Sequence, residues 1–220
     1  MDNIRYIQQK IPNHVTLLAV SKGQQVERIE KAYQLGIHQF GENYLQEAIP
    51  KIQALNHLNC TWHYIGKIQT NKCKKITQYF DWVQTVDRLE TAQKLNQSCQ
   101  ELQKSLNICI QINLHDEIQK GGISIHDAPL LINAIQNTCK HLCLKGLMNI
   151  PPQQLNTKER IETYLKLQQL QTTWNQQFHL QMDTLSMGMS EDYQEAILHG
   201  STMVRIGTAL FGPRPGKELL

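Results

Sequence analysis

The sequence predicts an α/β fold: one domain, residues 1–220, folded as a single (β/α)8 (TIM) barrel with an extra N-terminal helix. Three observations carry that prediction. Eight short apolar segments alternate with stretches of helical periodicity. No connection is long enough, or rich enough in glycine and serine, to divide the chain. The length of 220 residues suits a compact barrel, whose range begins at about 200. A doubly wound open sheet is the alternative, but no GxGxxG follows any strand.

Ile4, Ile7 and Ile11 have near-helical spacing and place a short helix before the first strand. Val15 to Val20 is apolar except for Thr16, runs into Ser21-Lys22-Gly23, and reads as a strand buried on both faces. Val26, Ile29, Ala32 and Tyr33 form a helical stripe that closes at Gly36. Ile37 to Gly41 is the second strand, and Asn43 with Gln46 reads as a capping box for the next helix. Trp62 to Gly66 is the third strand. The polar turn Lys67–Lys72 follows it and leads into a helix to about Phe80. Asp81 to Val86 is the fourth strand, and Asp87 with Glu90 suggests a second capping box before a helix to about Lys104.

Leu106 to Leu114 is the fifth strand, and the polar loop His115–Ile125 after it contains Lys120-Gly121-Gly122. A helix from His126 to about Asn137 tolerates Pro129 in its first turn. Leu142 to Met148 is the sixth strand. Ile161, Tyr164, Leu167, Leu170, Trp174 and Phe178 then form one face of a long helix. Gln181 to Ser186 is the seventh strand, with Ser190 as cap of a helix carrying Glu191 and Asp192 in its first turn and ending at Gly200. Thr202 to Ile206 is the eighth, and a short helix begins at Gly207.

Composition narrows the function. A hydrophobic fraction of 40% supports a full core. The net charge is only +3, and the basic residues form no long run, which speaks against nucleic acid as a partner. No apolar stretch approaches the roughly 18 residues of a membrane helix, and the first residues lack a signal-peptide core. The six cysteines form no CxxC pair and no zinc-finger spacing. These features suit a reducing, cytoplasmic setting without a structural metal.

In a barrel of this kind, chemistry gathers at the C-terminal ends of the strands. The residues there are Lys22 after the first strand, Asn43 after the second, and Met148 and Asn149 after the sixth. Ser186-Met187-Gly188 follows the seventh and Gly207-Thr208 the eighth. The last two loops are the usual phosphate grip of the fold, where small residues let the backbone approach an anion. A lysine desolvated in such a mouth has a lowered pKa and suits a Schiff base. A phosphate and a lysine-reactive aldehyde occur together in pyridoxal 5′-phosphate (PLP). Arg205, two residues before Gly207, needs an acceptor: either a carboxylate such as Glu42 or the pyridine nitrogen of PLP.

Several motifs resemble, in order and over nearly the whole chain, those of the pyridoxal phosphate homeostasis proteins (YggS/PROSC type). They are Leu18–Lys22, Phe40–Tyr44, His63–Lys72, Gly146–Met148, Leu185–Ser190 and Gly200–Thr208. The resemblance implies the fold of the alanine racemase N-terminal domain, with Lys22 as the internal aldimine and Arg205 near the pyridine nitrogen. It implies that Ser186, Gly207 and Thr208 hold the phosphate, with Asn43 nearby, in a monomer that could serve PLP-dependent apo-enzymes. The chain departs from the family at Gly23-Gln24-Gln25, where Thr and then Pro are usual, and at Lys67, where Pro or Leu is usual.

Plainer readings stand beside these. Asn43 also serves as an N-cap, His63 as a core histidine, Gln69, Asn71 and Lys72 as a helix start, and Lys120–Gly122 as a flexible loop with at most a secondary aldehyde or phosphate contact. Three functions fit: a PLP carrier that takes part in vitamin B6 homeostasis, a PLP-dependent racemase, and a PLP-free aldolase-like barrel. A two-base racemase needs an acid/base on each face of the substrate carbon. In alanine racemases the opposing tyrosine comes from a second domain, for which a chain ending at Leu220 has no room. With arginine at the ring nitrogen, carriage is favoured over turnover. The aldolase reading leaves Arg205 without a purpose.

Overall fold

The computed structural model describes residues 2–115 and 117–212; positions 213–220 of the expected domain lie outside them. Helix α1 (Asp2–Lys10) precedes strand β1 (Thr16–Val20). There follow α2 (Val26–Gln34), β2 (Gln39–Glu42), α3 (Leu45–Ala54), β3 (Thr61–Tyr64), α4 (Cys73–Tyr79) and β4 (Trp82–Val86). The chain continues through α5 (Leu89–Glu101), β5 (Leu106–Asn113), the two-residue β6 (Ile123–Ser124), α6 (Ala128–Thr138) and β7 (Leu142–Met148). It ends with α7 (Thr157–Phe178), β8 (Thr184–Ser186), α8 (Tyr193–Leu198), β9 (Met203–Ile206) and α9 (Thr208–Phe211).

The strands run parallel in the order β4-β3-β2-β1-β9-β8-β7-β5, and β4 pairs with β5 to close the ring. This is the expected eight-stranded barrel. β1 and β9, from opposite ends of the chain, form the seam, with Leu18 opposite Arg205 and Ala19 opposite Ile206. β6, which the sequence reading left inside a polar loop, pairs with the end of β5 outside the ring.

Helix faces such as Ile29 and Ala32 of α2, and Tyr164, Leu167 and Trp174 of α7, pack on the barrel. The barrel interior itself carries a polar chain. Gln84 on β4 bonds Ser186 on β8, which is not its sheet neighbour, so the contact crosses the lumen. On the other side Gln84 meets His63, and His63 meets Gln39. A ring this small has no room for water beside bulky side chains, so each polar group must find a protein partner.

Several element ends differ from expectation for local reasons. Neither Asn43 nor Asp87 caps a helix: the N-caps are Tyr44 and Arg88, without side-chain cap bonds. The capping box lies elsewhere, at Asn156 and Glu159, where it opens α7. β8 begins at Thr184 rather than Gln181, because the Asn175 side chain occupies both the N–H and the C=O of Met182. Ser190 does not cap α8; Asp192 is its N-cap and its carboxylate accepts from the Met189 N–H at 2.5 Å.

Candidate functional site

A cavity of about 550 Å³ opens at the C-terminal mouth of the barrel. Lys22, Asn43, Arg205, Gly207 and Thr208 all line it, together with Met148, Ser190 and the Pro151-Pro152 rim. Five of the six residues singled out from sequence therefore line one cavity.

Lys22 sits in a turn held from behind. Ser21 donates its hydroxyl to Glu42 Oε1 at 2.7 Å, and its carbonyl accepts from Lys51 Nζ at 2.8 Å. Gly23 donates its N–H to Glu47. Lys51, buried on α3, also bonds Glu42 at 2.8 Å and Glu47 at 2.5 Å, so one ammonium ties the strand end to the helix. Burial raises the Glu42 pKa, while Lys51 and the Ser21 hydroxyl oppose the rise. Gly23 has φ +73°, a left-handed turn that threonine would enter only with strain. Glycine takes this turn without strain.

Arg205 is 5% exposed and fully desolvated at its head, which pushes its pKa down to about 10. It remains a cation at neutral pH. Its Nη1 donates to the Ser186 carbonyl at 2.6 Å and hydroxyl at 2.8 Å, and its Nη2 to the Asn149 carbonyl at 2.8 Å. Among the described residues no carboxylate lies within 4.0 Å of it. Glu42, the ion-pair partner considered from sequence, is spent on Lys51. The Nε–H and one Nη2–H have no acceptor among the described residues, on a side chain that lines the cavity.

Ser186, expected to hold the phosphate, does not line the cavity. It is fully buried below the cavity floor; its hydroxyl donates to Gln84 Oε1 at 2.6 Å while accepting from Arg205. It supports the arginine and has no hydrogen to give a phosphate. Ser190 supplies the hydroxyl on that wall, 3.4 Å from the Ala209 N–H at the start of α9. Gly207 is pressed against β1, where an added Cβ would lie 3.3 Å from the Val20 carbonyl oxygen. Asn43 Oδ1 is buried and has no partner among the described residues.

His63 is a core residue. Its Nε2 meets Gln39 Oε1 at 2.6 Å and its Nδ1 meets the Gln84 amide nitrogen at 2.9 Å, which fixes a neutral ring stacked on Trp82. Lys120 bonds the Pro151 carbonyl at 2.8 Å, so its loop is tied to the rim. Sequence reading missed Lys51, Asn149 as the carbonyl acceptor for Arg205, and Ser190 as a wall residue. The Glu47/Lys51 spacing of four was the one signal available for the first.

Residues 1–215 match the family model described as alanine racemase, N-terminal domain. The chain is 44% identical to a pyridoxal phosphate homeostasis protein of Haemophilus influenzae, over 96% of this chain and 94% of that protein. Among solved structures, PipY of Synechococcus elongatus with PLP bound superposes with a TM-score of 0.91 at 34% identity, covering 96% of this chain and 99% of PipY. An alanine racemase of Clostridium difficile shares the fold, with a TM-score of 0.81 at 16% identity, this chain covering 59% of it. With the closed barrel and the lysine–arginine cavity already in view, these likenesses place the chain in the alanine racemase N-terminal-domain family, among the pyridoxal phosphate homeostasis proteins.

Proposed function

We propose that this chain is a one-domain PLP carrier, which holds the cofactor through Lys22 and releases it in support of PLP homeostasis. The single observation that carries this reading is that Lys22 and Arg205, from opposite ends of the chain, line one cavity with the Gly207-Thr208 turn. The residues fit the group. Lys22 is the amine that takes its aldehyde, and the uncommitted N–H groups of Arg205 suit an acceptor nitrogen. Ser190, Gly207 and Thr208 present small or hydroxyl-bearing groups to a phosphate.

When bound, PLP supplies an amine-reactive aldehyde and an electron-withdrawing ring. A guanidinium only donates, so a ring nitrogen held by Arg205 would carry no proton, and the ring would be a weak electron sink. Asp192, one of two carboxylates on the wall, is spent on the Tyr164 hydroxyl at 2.5 Å and the Met189 N–H. Both features support storage and transfer over racemisation, which needs a proton donor on each face. We further propose a cytoplasmic monomer that passes PLP to apo-enzymes. Among the described residues no helix is long and apolar enough to cross a membrane.

The test is the absorption spectrum of the purified protein with added PLP, before and after borohydride reduction, with mapping of the modified peptide. Label on Lys22, lost in Lys22→Ala, is the expected result. Arg205→Ala should weaken PLP retention by about tenfold or more, the size of a lost charge-assisted contact, while Cys99→Ala changes nothing. Label on other lysines with Lys22 unmodified would refute the reading.

A further inference from the structure

Beside the cofactor cavity lies a second cleft of about 730 Å³, built on the Gly66–Lys72 turn that the PLP reading does not use. Three cations line it, Lys67, Lys72 and Arg88, and among the described residues its lining holds no Asp or Glu. Among the described residues neither lysine has a carboxylate within 4.0 Å, and Arg88 has only Asp87, at 3.8 Å. Three cations on one cleft, with only the Asp87 carboxylate beside them at 3.8 Å from Arg88, leave excess positive charge that an anion relieves.

The turn is rigid. Four successive carbonyls are each held from within the protein: Gly66 by the Thr85 hydroxyl at 2.6 Å and Lys67 by the Tyr64 hydroxyl at 3.1 Å. Ile68 accepts from Arg88 at 3.1 Å, and Gln69 from the Lys72 N–H at 2.8 Å. A Cβ on Gly66 would lie 2.0 Å from the Asn43 carbonyl oxygen, so the turn is locked against the loop that separates the two cavities. Arg88 is aimed as well, its Nε held by Thr91 at 2.9 Å and its Nη2 by Ile68. A solvated charge run needs none of this bracing.

Two more features refine the ligand. Asn43 lines both cavities, and its buried Oδ1 has no donor among the described residues. Tyr44, 63% exposed, offers a bare ring at the edge of the same cleft. The cations call for a phosphate, the orphan acceptor for a ligand hydroxyl, and the ring for a flat heterocycle.

We propose that this cleft is a second ligand site, for a small phosphorylated molecule that carries hydroxyls and a flat ring, as a nucleoside monophosphate does. Its phosphate lies among Lys67, Lys72 and Arg88, and its ring on Tyr44. The site is independent of Lys22.

The test is calorimetric titration of the full-length, PLP-loaded protein with AMP, adenosine and inorganic phosphate at low salt. AMP should bind saturably in the submillimolar range, at least about tenfold tighter than either adenosine or inorganic phosphate. The double variant K67Q/K72Q should weaken AMP at least about tenfold, and Tyr44→Ala by several-fold. Lys22→Ala should leave AMP affinity within about twofold, whether or not PLP is held there. AMP binding that survives K67Q/K72Q, or that is lost with Lys22→Ala, would overturn the proposal. So would equal affinity for AMP and inorganic phosphate, which would mean an adventitious ion only.

Discussion

At the scale of single residues, His63 shows how a side chain's role follows from its partners and not from its type. Desolvation pushes its pKa down to about 3, and both ring nitrogens are satisfied by glutamines. A histidine that must stay neutral when folded, but titrates near 6.5 when unfolded, stabilises the fold fully above that pH. That contribution is lost as pH falls from 6.5 toward 3. At pH 5 the loss is about 2 kcal/mol for one proton. Urea unfolding at pH 7.5 and pH 5 should show a smaller acid-induced loss in His63→Asn, by about that amount; an unchanged difference would show that His63 is not the titrating group. The bland reading of His63 was available from its place in an apolar strand. Ser186, expected at the mouth, ends β8 level with Met203, the first residue of β9, where its hydroxyl bonds Gln84.

At the scale of elements, strands and helix faces were legible because burial imposes a period on them, while caps and ends were not. Asn43, Asp87 and Ser190 all have cap-forming side chains, yet none caps a helix. Tertiary bonds set other ends, as with Asn175 against Met182 at the start of β8. The junction of β2 and α3 has the largest consequence for the site. Lys51 joins Ser21, Glu42 and Glu47, and so fixes the turn that carries Lys22. Lys51→Met would leave the buried Glu42 carboxylate without its cation, a loss of about 3–5 kcal/mol. Because Glu42 already has a raised pKa, the variant should protonate it and lose further stability as pH rises, the reverse of the His63 trend. Glu42→Gln in the Lys51→Met background should recover part of the loss and flatten that slope. Thermal melts from pH 5 to 8 read both effects, and a pH-independent Lys51→Met would show that the pair is not coupled.

At the scale of the whole molecule, closure of the barrel makes the site. Lys22 leaves β1 and Arg205 sits on β9, and only the seam between those strands brings them together. The sequence could reveal both residues because each stands at a strand end, but their proximity depends on eight strands closing, which no local pattern encodes. A ligand touching both therefore binds the closed barrel and not the unfolded chain, so binding adds to global stability by mass action. At PLP a hundredfold above its Kd the gain is about 2.7 kcal/mol, or about 5–10 °C in Tm for a chain of this size. Lys22→Ala should lose most of that shift and, at a half-buried position, lower the ligand-free Tm less than Arg205→Ala does. Arg205→Ala should lose the shift and also melt lower without ligand, because it leaves the Ser186 and Asn149 carbonyls without their donor. Scanning calorimetry of the three proteins, with and without PLP, separates the residue that holds the ligand from the one that also holds the barrel. If wild-type Tm ignored PLP, or if Lys22→Ala and Arg205→Ala melted alike without it, the two roles assigned across the seam would be wrong.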